Sequence, residues 1–192
     1  MFVEGDFNPP WINPAMPPRE RCVVAPLLDH WARTTPDSVF AVFEDGEQWT
    51  WRETHTRVRA TAQALQALGV RHGDSVGVWL PNGKTMFLAW FAANYLGALY
   101  CPFNTSFRGN LLAHVVRNAG PKVLLCHARL MERLQDIDLA QVETLVCIGA
   151  YDGPPPGGRR VLGASALDGD AAALGAVPQV QPRDSYGIIY TS

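Results

Sequence analysis

The feature that most constrains this chain is the spacing of its short apolar runs. Residues 74–80, 98–103, 122–126 and 144–148 are each only a few residues long and rich in Val, Leu and Cys, with helical patterns in between. Runs this short read as strands, and strands alternating with helices are joined by crossovers into a mainly parallel sheet. The expected class is therefore α/β, a mainly parallel sheet flanked by helices. A ligand on such a sheet sits beyond the carboxyl ends of the strands. A further apolar run over residues 184–190, bounded upstream by Pro182, predicts one more strand in the main sheet, packed on both faces, with Thr191 at its carboxyl end.

The intervening segments carry their own start and stop signals. Residues 25–34 read as a helix with Leu27, Leu28 and Trp31 on one stripe, ended by Pro36. Residues 39–43 and 48–50 flank Asp45-Gly46, a hairpin-turn dipeptide. Thr50-Trp51-Arg52-Glu53 is a capping box that opens a helix running to Leu68, with Val58, Ala62 and Leu65 on one face and Gly69 as its stop. Residues 84–96 come after the turn Pro81-Asn82-Gly83. They are apolar almost all round, so this helix, Trp90 included, is expected to be covered on several sides. Residues 109–118 form a helix closed by Gly120-Pro121, residues 128–135 a short helix, 152–160 a surface loop, and 164–174 a weak helix. Residues 1–25 hold Pro9, Pro10, Pro14, Pro17 and Pro18 and are expected as an irregular arm, leaving 26–192 as one α/β domain.

Composition excludes several classes. Hydrophobic residues at 47% and charged residues at 18% describe a globular protein, and a net charge of −2 gives no footprint for nucleic acid. Glu4 and Asp6 stand where a secretory leader would be positive, and no apolar run is long enough for a membrane span. The expectation is a soluble, cytoplasmic protein. Cys22, Cys101, Cys126 and Cys147 lie far apart without a C-x-x-C pair, and are expected as reduced, buried thiols, not as a metal site or disulfide framework. His30, His55, His72, His114 and His127 show no ligand spacing either.

Three stretches together resemble the adenylate-forming superfamily of acyl-CoA synthetases, peptide-synthetase adenylation domains and luciferases. Trp49-Thr-Trp-Arg-Glu53 is similar to its first core motif. Tyr95-Leu-Gly-Ala-Leu-Tyr-Cys-Pro-Phe-Asn104 resembles its second, and Tyr190-Thr191-Ser192 matches the opening of its third. In relatives that third motif continues as a Gly-Thr-Thr-Gly-x-Pro-Lys loop. The resemblance covers residues 26–192, and within the superfamily it looks most like the acyl-CoA ligase branch, of the carnitine/crotonobetaine ligase type.

The resemblance implies ATP, Mg2+ and coenzyme A as cofactors and a small carboxylic acid as substrate. The carboxylate attacks the α-phosphate, pyrophosphate leaves, and the acyl adenylate passes to the thiol of coenzyme A. It implies Thr191 and Ser192 as phosphate-binding residues, through hydroxyl and backbone N–H donors, and it implies scaffold roles for Trp51, Gly97, Pro102 and Asn104. No catalytic residue and no metal ligand is named within the 192 residues. The rest of the loop with its lysine, the downstream acidic residues and the C-terminal lysine domain of relatives would lie beyond Ser192. The expectation is a truncated product or one piece of a split protein, inactive alone. A homo-oligomer is compatible with it. Two other readings stand beside it: a non-catalytic α/β module serving as an oligomerisation or interaction surface, and an unrelated small nucleotide-binding domain, which would need a complete phosphate loop.

Overall fold

A computed structural model describes residues 22–190. The elements run α1 (Val24–Thr34), β1 (Val39–Val42), β2 (Gln48–Thr50), α2 (Trp51–Ala67), β3 (Ser75–Trp79), α3 (Lys84–Tyr95), β4 (Leu99–Pro102), α4 (Gly109–Ala119), β5 (Val123–His127), β6 (Thr144–Ile148) and β7 (Arg160–Gly163). β1 and β2 form an antiparallel hairpin, and the other five strands form one parallel sheet in the order β4-β3-β5-β6-β7. The α/β class read from the strand spacing is the one observed.

Alternation along each strand divides the core in two. Val76, Val78, Val123, Leu125 and Val146 face α1, α2 and α3, whereas Trp79, Leu124, Cys126, Leu145 and Cys147 face α4 and the 3-10 turn Ala128–Leu134. Side chains that point to opposite faces at successive positions leave both faces apolar and both covered. The capping box is formed: Thr50 Oγ1 accepts from the Glu53 amide at 3.2 Å, and Glu53 Oε2 accepts from the Thr50 amide at 2.8 Å. Gly120 closes α4 in the left-handed region.

Four expectations need correction. The run at 184–190 is no strand packed on both faces. Its sheet pairing is one parallel bridge, Gly187 with Tyr100 on the β4 edge, and Ile189 is 73% exposed. β7 begins at the end of the stretch expected as loop and runs beyond it, because Arg160–Gly163 offers only Val161 and Leu162 as apolar signal. The weak helix at 164–174 is two 3-10 turns, Ala164–Leu167 and Ala171–Ala173, whose side chains pack on α2. Cys22 is exposed, whereas Cys101, Cys126 and Cys147 are buried free thiols as expected. The predicted arm of residues 1–25 lies outside the described residues except for its last four. Among the described residues no helix is long and apolar enough to cross a membrane.

α3 also departs from its reading. Its small residues Ala89, Ala92 and Ala93 are buried, but Met86, Phe87, Leu88, Trp90 and Phe91 are only half-buried. Small residues let the helix approach the sheet closely, and the large ones then pack sideways. Trp90 stacks on Tyr100 with centroids 5.8 Å apart and meets Tyr186 edge-on at 6.4 Å. Trp90→Ala is therefore expected to cost about 2 kcal/mol, below the range for emptying a fully enclosed aromatic site. Urea denaturation checks this, and a loss above about 4 kcal/mol would restore the fully covered helix.

Candidate functional site

The carboxyl end of the sheet is shaped by the loops that leave β3 and β4. β3 ends at Trp79 and hands over to Leu80-Pro81-Asn82; β4 ends at Pro102 and hands over to Phe103-Asn104-Thr105. Asn104 builds a local turn, its Oδ1 accepting from the Ser106 amide at 2.9 Å and the Ser106 hydroxyl at 2.8 Å. Its carbonyl accepts from Trp79 Nε1 at 2.9 Å, which ties the two loops together. Between them opens a cleft of about 460 Å³ lined by Leu80, Asn82, Met86, Phe103, Asn104 and Thr105 among others. That is the end of a parallel sheet where ligands collect.

The segment leading to the predicted site residues runs along the same edge. The Tyr100 amide donates to the Tyr186 carbonyl at 3.2 Å, and the Ile188 amide donates to the Tyr100 carbonyl at 3.1 Å. With Gly187 paired in parallel to Tyr100, three further residues bring Tyr190 level with Phe103, just past the end of β4. The Tyr190 ring meets Phe103 edge-on at 6.3 Å, and its hydroxyl donates to Asn118 Oδ1 at 2.9 Å. Thr191 and Ser192 themselves lie outside the described residues. The residue before them thus stands against one wall of the cleft.

Upstream, the segment is pinned by polar contacts. Asn94 Nδ2 donates to the Tyr186 carbonyl at 2.8 Å, and Asp184 Oδ2 accepts from the Gln181 amide at 2.8 Å and meets His72 Nε2 at 3.3 Å. The Gln181 N–H, and after it His72, hold the Asp184 carboxyl below its ordinary value of 3.8. A depressed folded value stabilises the anchored segment above pH 3.8, and that contribution is lost as pH falls through the folded value. The Gln181 amide resonance is expected to titrate below 3.8. Titration at or above the ordinary value would show that the carboxylate does not hold this turn.

Burial sets the behaviour of the titratable groups within the sheet. Burial pushes the Cys101, Cys126 and Cys147 thiols up, so none is an activated nucleophile. Burial likewise pushes the Tyr100 phenol up to about 12. No group of three or more His, Cys, Asp or Glu among the described residues could hold a metal. Trp51 stacks on Phe40 at 3.8 Å, and Gly97 turns the chain at φ 67°, where a Cβ would meet the His72 ring at 2.3 Å. These are the packing and turn roles expected of them. The residue missed from sequence is Asn94, whose only signal is a polar interruption of an apolar helix.

Comparison with known proteins gives the same outline. The family described as AMP-binding enzyme matches residues 28–192. A 3-[(3aS,4S,7aS)-7a-methyl-1,5-dioxo-octahydro-1H-inden-4-yl]propanoyl:CoA ligase of Mycobacterium tuberculosis is 32% identical over 176 residues, an alignment taking in 88% of this chain and 34% of that protein. The crystal structure of a long-chain-fatty-acid CoA ligase from Rhodopseudomonas palustris superposes with a TM-score of 0.76 at 24% identity, over 88% of this chain and 42% of that one. An anthranilate CoA ligase solved with anthranoyl-AMP superposes at 0.73 and 20% identity, over 88% of this chain and 31% of that one. The chain thus spans well under half the length of these proteins.

Proposed function

Because the chain belongs to the AMP-binding enzyme family, we propose that it forms the sheet and the start of the phosphate loop of an ATP-dependent acyl-CoA ligase. In this reading a carboxylic acid is activated as acyl-AMP and transferred to coenzyme A in the cytoplasm. The observation that carries it is the course of residues 186–190, which run beside β4 in parallel and end at Tyr190 beside the carboxyl-end cleft. Thr191 and Ser192 would then offer hydroxyl and N–H donors to the phosphates, where two successive donors can converge on an anion.

The residues present fit one wall of such a site. Asn82, Asn104 and Thr105 give the cleft uncharged donors and acceptors, and Leu80, Met86 and Phe103 give it apolar surface. ATP supplies the activated phosphate, and Mg2+ would neutralise the leaving pyrophosphate. The part of this chain is to fix the direction and height of the loop. Tyr190 does so through its bond to Asn118, and Asn94 through its bond to the Tyr186 carbonyl. Positioning of this kind is most of what a phosphoryl-type transfer asks of a protein.

The test is pyrophosphate exchange by a polypeptide containing these 192 residues and continuing through the loop and the lysine domain. Exchange that depends on an added carboxylic acid is expected, and Thr191→Val should lower kcat/KM for ATP by about tenfold or more, the worth of one bond to a charged group. Exchange indifferent to carboxylic acids, or unchanged in the Thr191 variant, would overturn the assignment.

A further inference from the structure

An apolar strip lies away from the carboxyl-end cleft, where α1 meets the β1–β2 hairpin. Ala25 and Leu28 turn the inner face of α1 to the core, and Val24, Leu27 and Trp31 follow at helical spacing on a neighbouring stripe. Val24 and Leu27 are half-buried, whereas Trp31 is 40% exposed. Trp31 continues the stripe onto the hairpin as a row of rings. It stacks on Trp51, at the start of α2, with centroids 5.9 Å apart, and Trp51 stacks on Phe40 of β1 at 3.8 Å. Among the described residues neither the Trp31 nor the Trp51 indole N–H has an acceptor.

An open indole with an unused N–H takes an apolar group on its ring and a carbonyl at its edge. A polyproline II segment offers both. It carries pyrrolidine rings, and its carbonyls are unspent because this helix makes no internal hydrogen bonds. Proline-rich segments dock on aromatic surfaces in this way. The chain has such a segment beside the strip, outside the described residues: Asn8-Pro-Pro-Trp-Ile-Asn-Pro-Ala-Met-Pro-Pro18, with five residues between Pro18 and Val24. Residues 9–18 extend about 30 Å as polyproline II, and Val24 to Trp31 is about 10 Å along α1, so the segment reaches the rings with length to spare.

We infer that residues 9–18 dock on this strip, running antiparallel to α1. Their proline rings pack on Leu27 and Trp31, and their carbonyls accept from the Trp31 and Trp51 indoles. A second copy of the chain would have to find these rings from solution, whereas the attached segment meets them at an effective concentration of about millimolar. Because the strip joins α1, α2 and β1, the docked segment ties the three together. The docking is independent of the ligase reading.

The test uses the 192-residue chain. Nuclear Overhauser cross peaks are expected from the ring protons of Pro9, Pro10, Pro14, Pro17 and Pro18 to the Trp31 and Trp51 indoles. In isotope-filtered spectra of mixed labelled and unlabelled chains they should be absent between chains. Chymotrypsin cleavage after Trp11, inside the docked segment, should be about tenfold faster in Trp31→Ala, since proteolysis follows the undocked population. The double variant Pro10→Ala with Pro14→Ala should speed it as well, and that variant leaves the described residues untouched. Leu111→Ala, an exposed apolar residue on α4 across the sheet, should leave the cleavage rate unchanged. The absence of proline–indole cross peaks overturns the inference. So do cross peaks between chains, which would make the occupant a second copy, or cleavage that neither Trp31→Ala nor the proline variant accelerates.

Discussion

Replacing Trp79 with alanine is expected to lower the free energy of unfolding by about 3–5 kcal/mol, the range for emptying a large aromatic site in a core. Trp79 is the last residue of β3, an interior strand next to the β4 edge, and is fully buried in the layer that also holds Leu112, Val116, Leu124 and Met131. β3 is paired with β4 through Val78 and with β5 through Trp79, so the strand backbone is held in place around the space that would be left. The indole also donates to the Asn104 carbonyl. Asn104 is exposed, so water takes over that bond, and Trp79→Phe should cost only about 1 kcal/mol. The two variants separate volume from polarity. Against a typical stability of about 5–15 kcal/mol, the alanine variant is close to unfolding, and urea titration reads it as a shifted midpoint with an unchanged slope. A loss below about 1 kcal/mol for Trp79→Ala would place the indole at the surface and undo the register of β3.

Trp79 and Trp90 also show what the sequence could and could not convey. The strands β3 to β6 were legible because each is a short apolar run whose two faces are both buried, so that no polar alternation competes with the signal. The hairpin and α2 were legible from local chemistry, Asp45-Gly46 and the Thr50–Glu53 box, which act within a few residues. Burial around α3 was not, because a helix apolar on all sides does not say which side meets the sheet. The alanines won that contact and the large residues were left half-covered. Residues 184–190 misled for the opposite reason. Their apolar run signals a strand, yet a strand needs partners, and β4 offers one edge that is paired at a single position. Asn94 was legible only as an interruption, since its role depends on carbonyls 4 and 92 residues away.

A chain of these 192 residues alone is expected to bind ATP no more tightly than about millimolar, and to catalyse no acid-dependent pyrophosphate exchange. Millimolar affinity already requires about 4 kcal/mol net, after an association cost of roughly 4–15 kcal/mol. A hydrogen bond to a charged group contributes about 1.5–3 kcal/mol. Thr191 and Ser192 are two residues, and even their hydroxyl and amide donors together reach only the low end of that requirement. The carboxyl-end cleft does not make up the difference. Among the described residues its walls, from Val78 through Thr105, include no lysine, arginine or histidine, so a polyphosphate would leave water without meeting a positive charge from them. A chain extended through the loop and its lysine gains both the remaining amides and the cation, and in that chain exchange should appear. Calorimetry of ATP with the 192-residue chain, run beside exchange assays on both lengths, gives the answer. Micromolar binding by the short chain would mean that phosphate is held by donors elsewhere on the sheet, and that Thr191 and Ser192 are not where recognition starts.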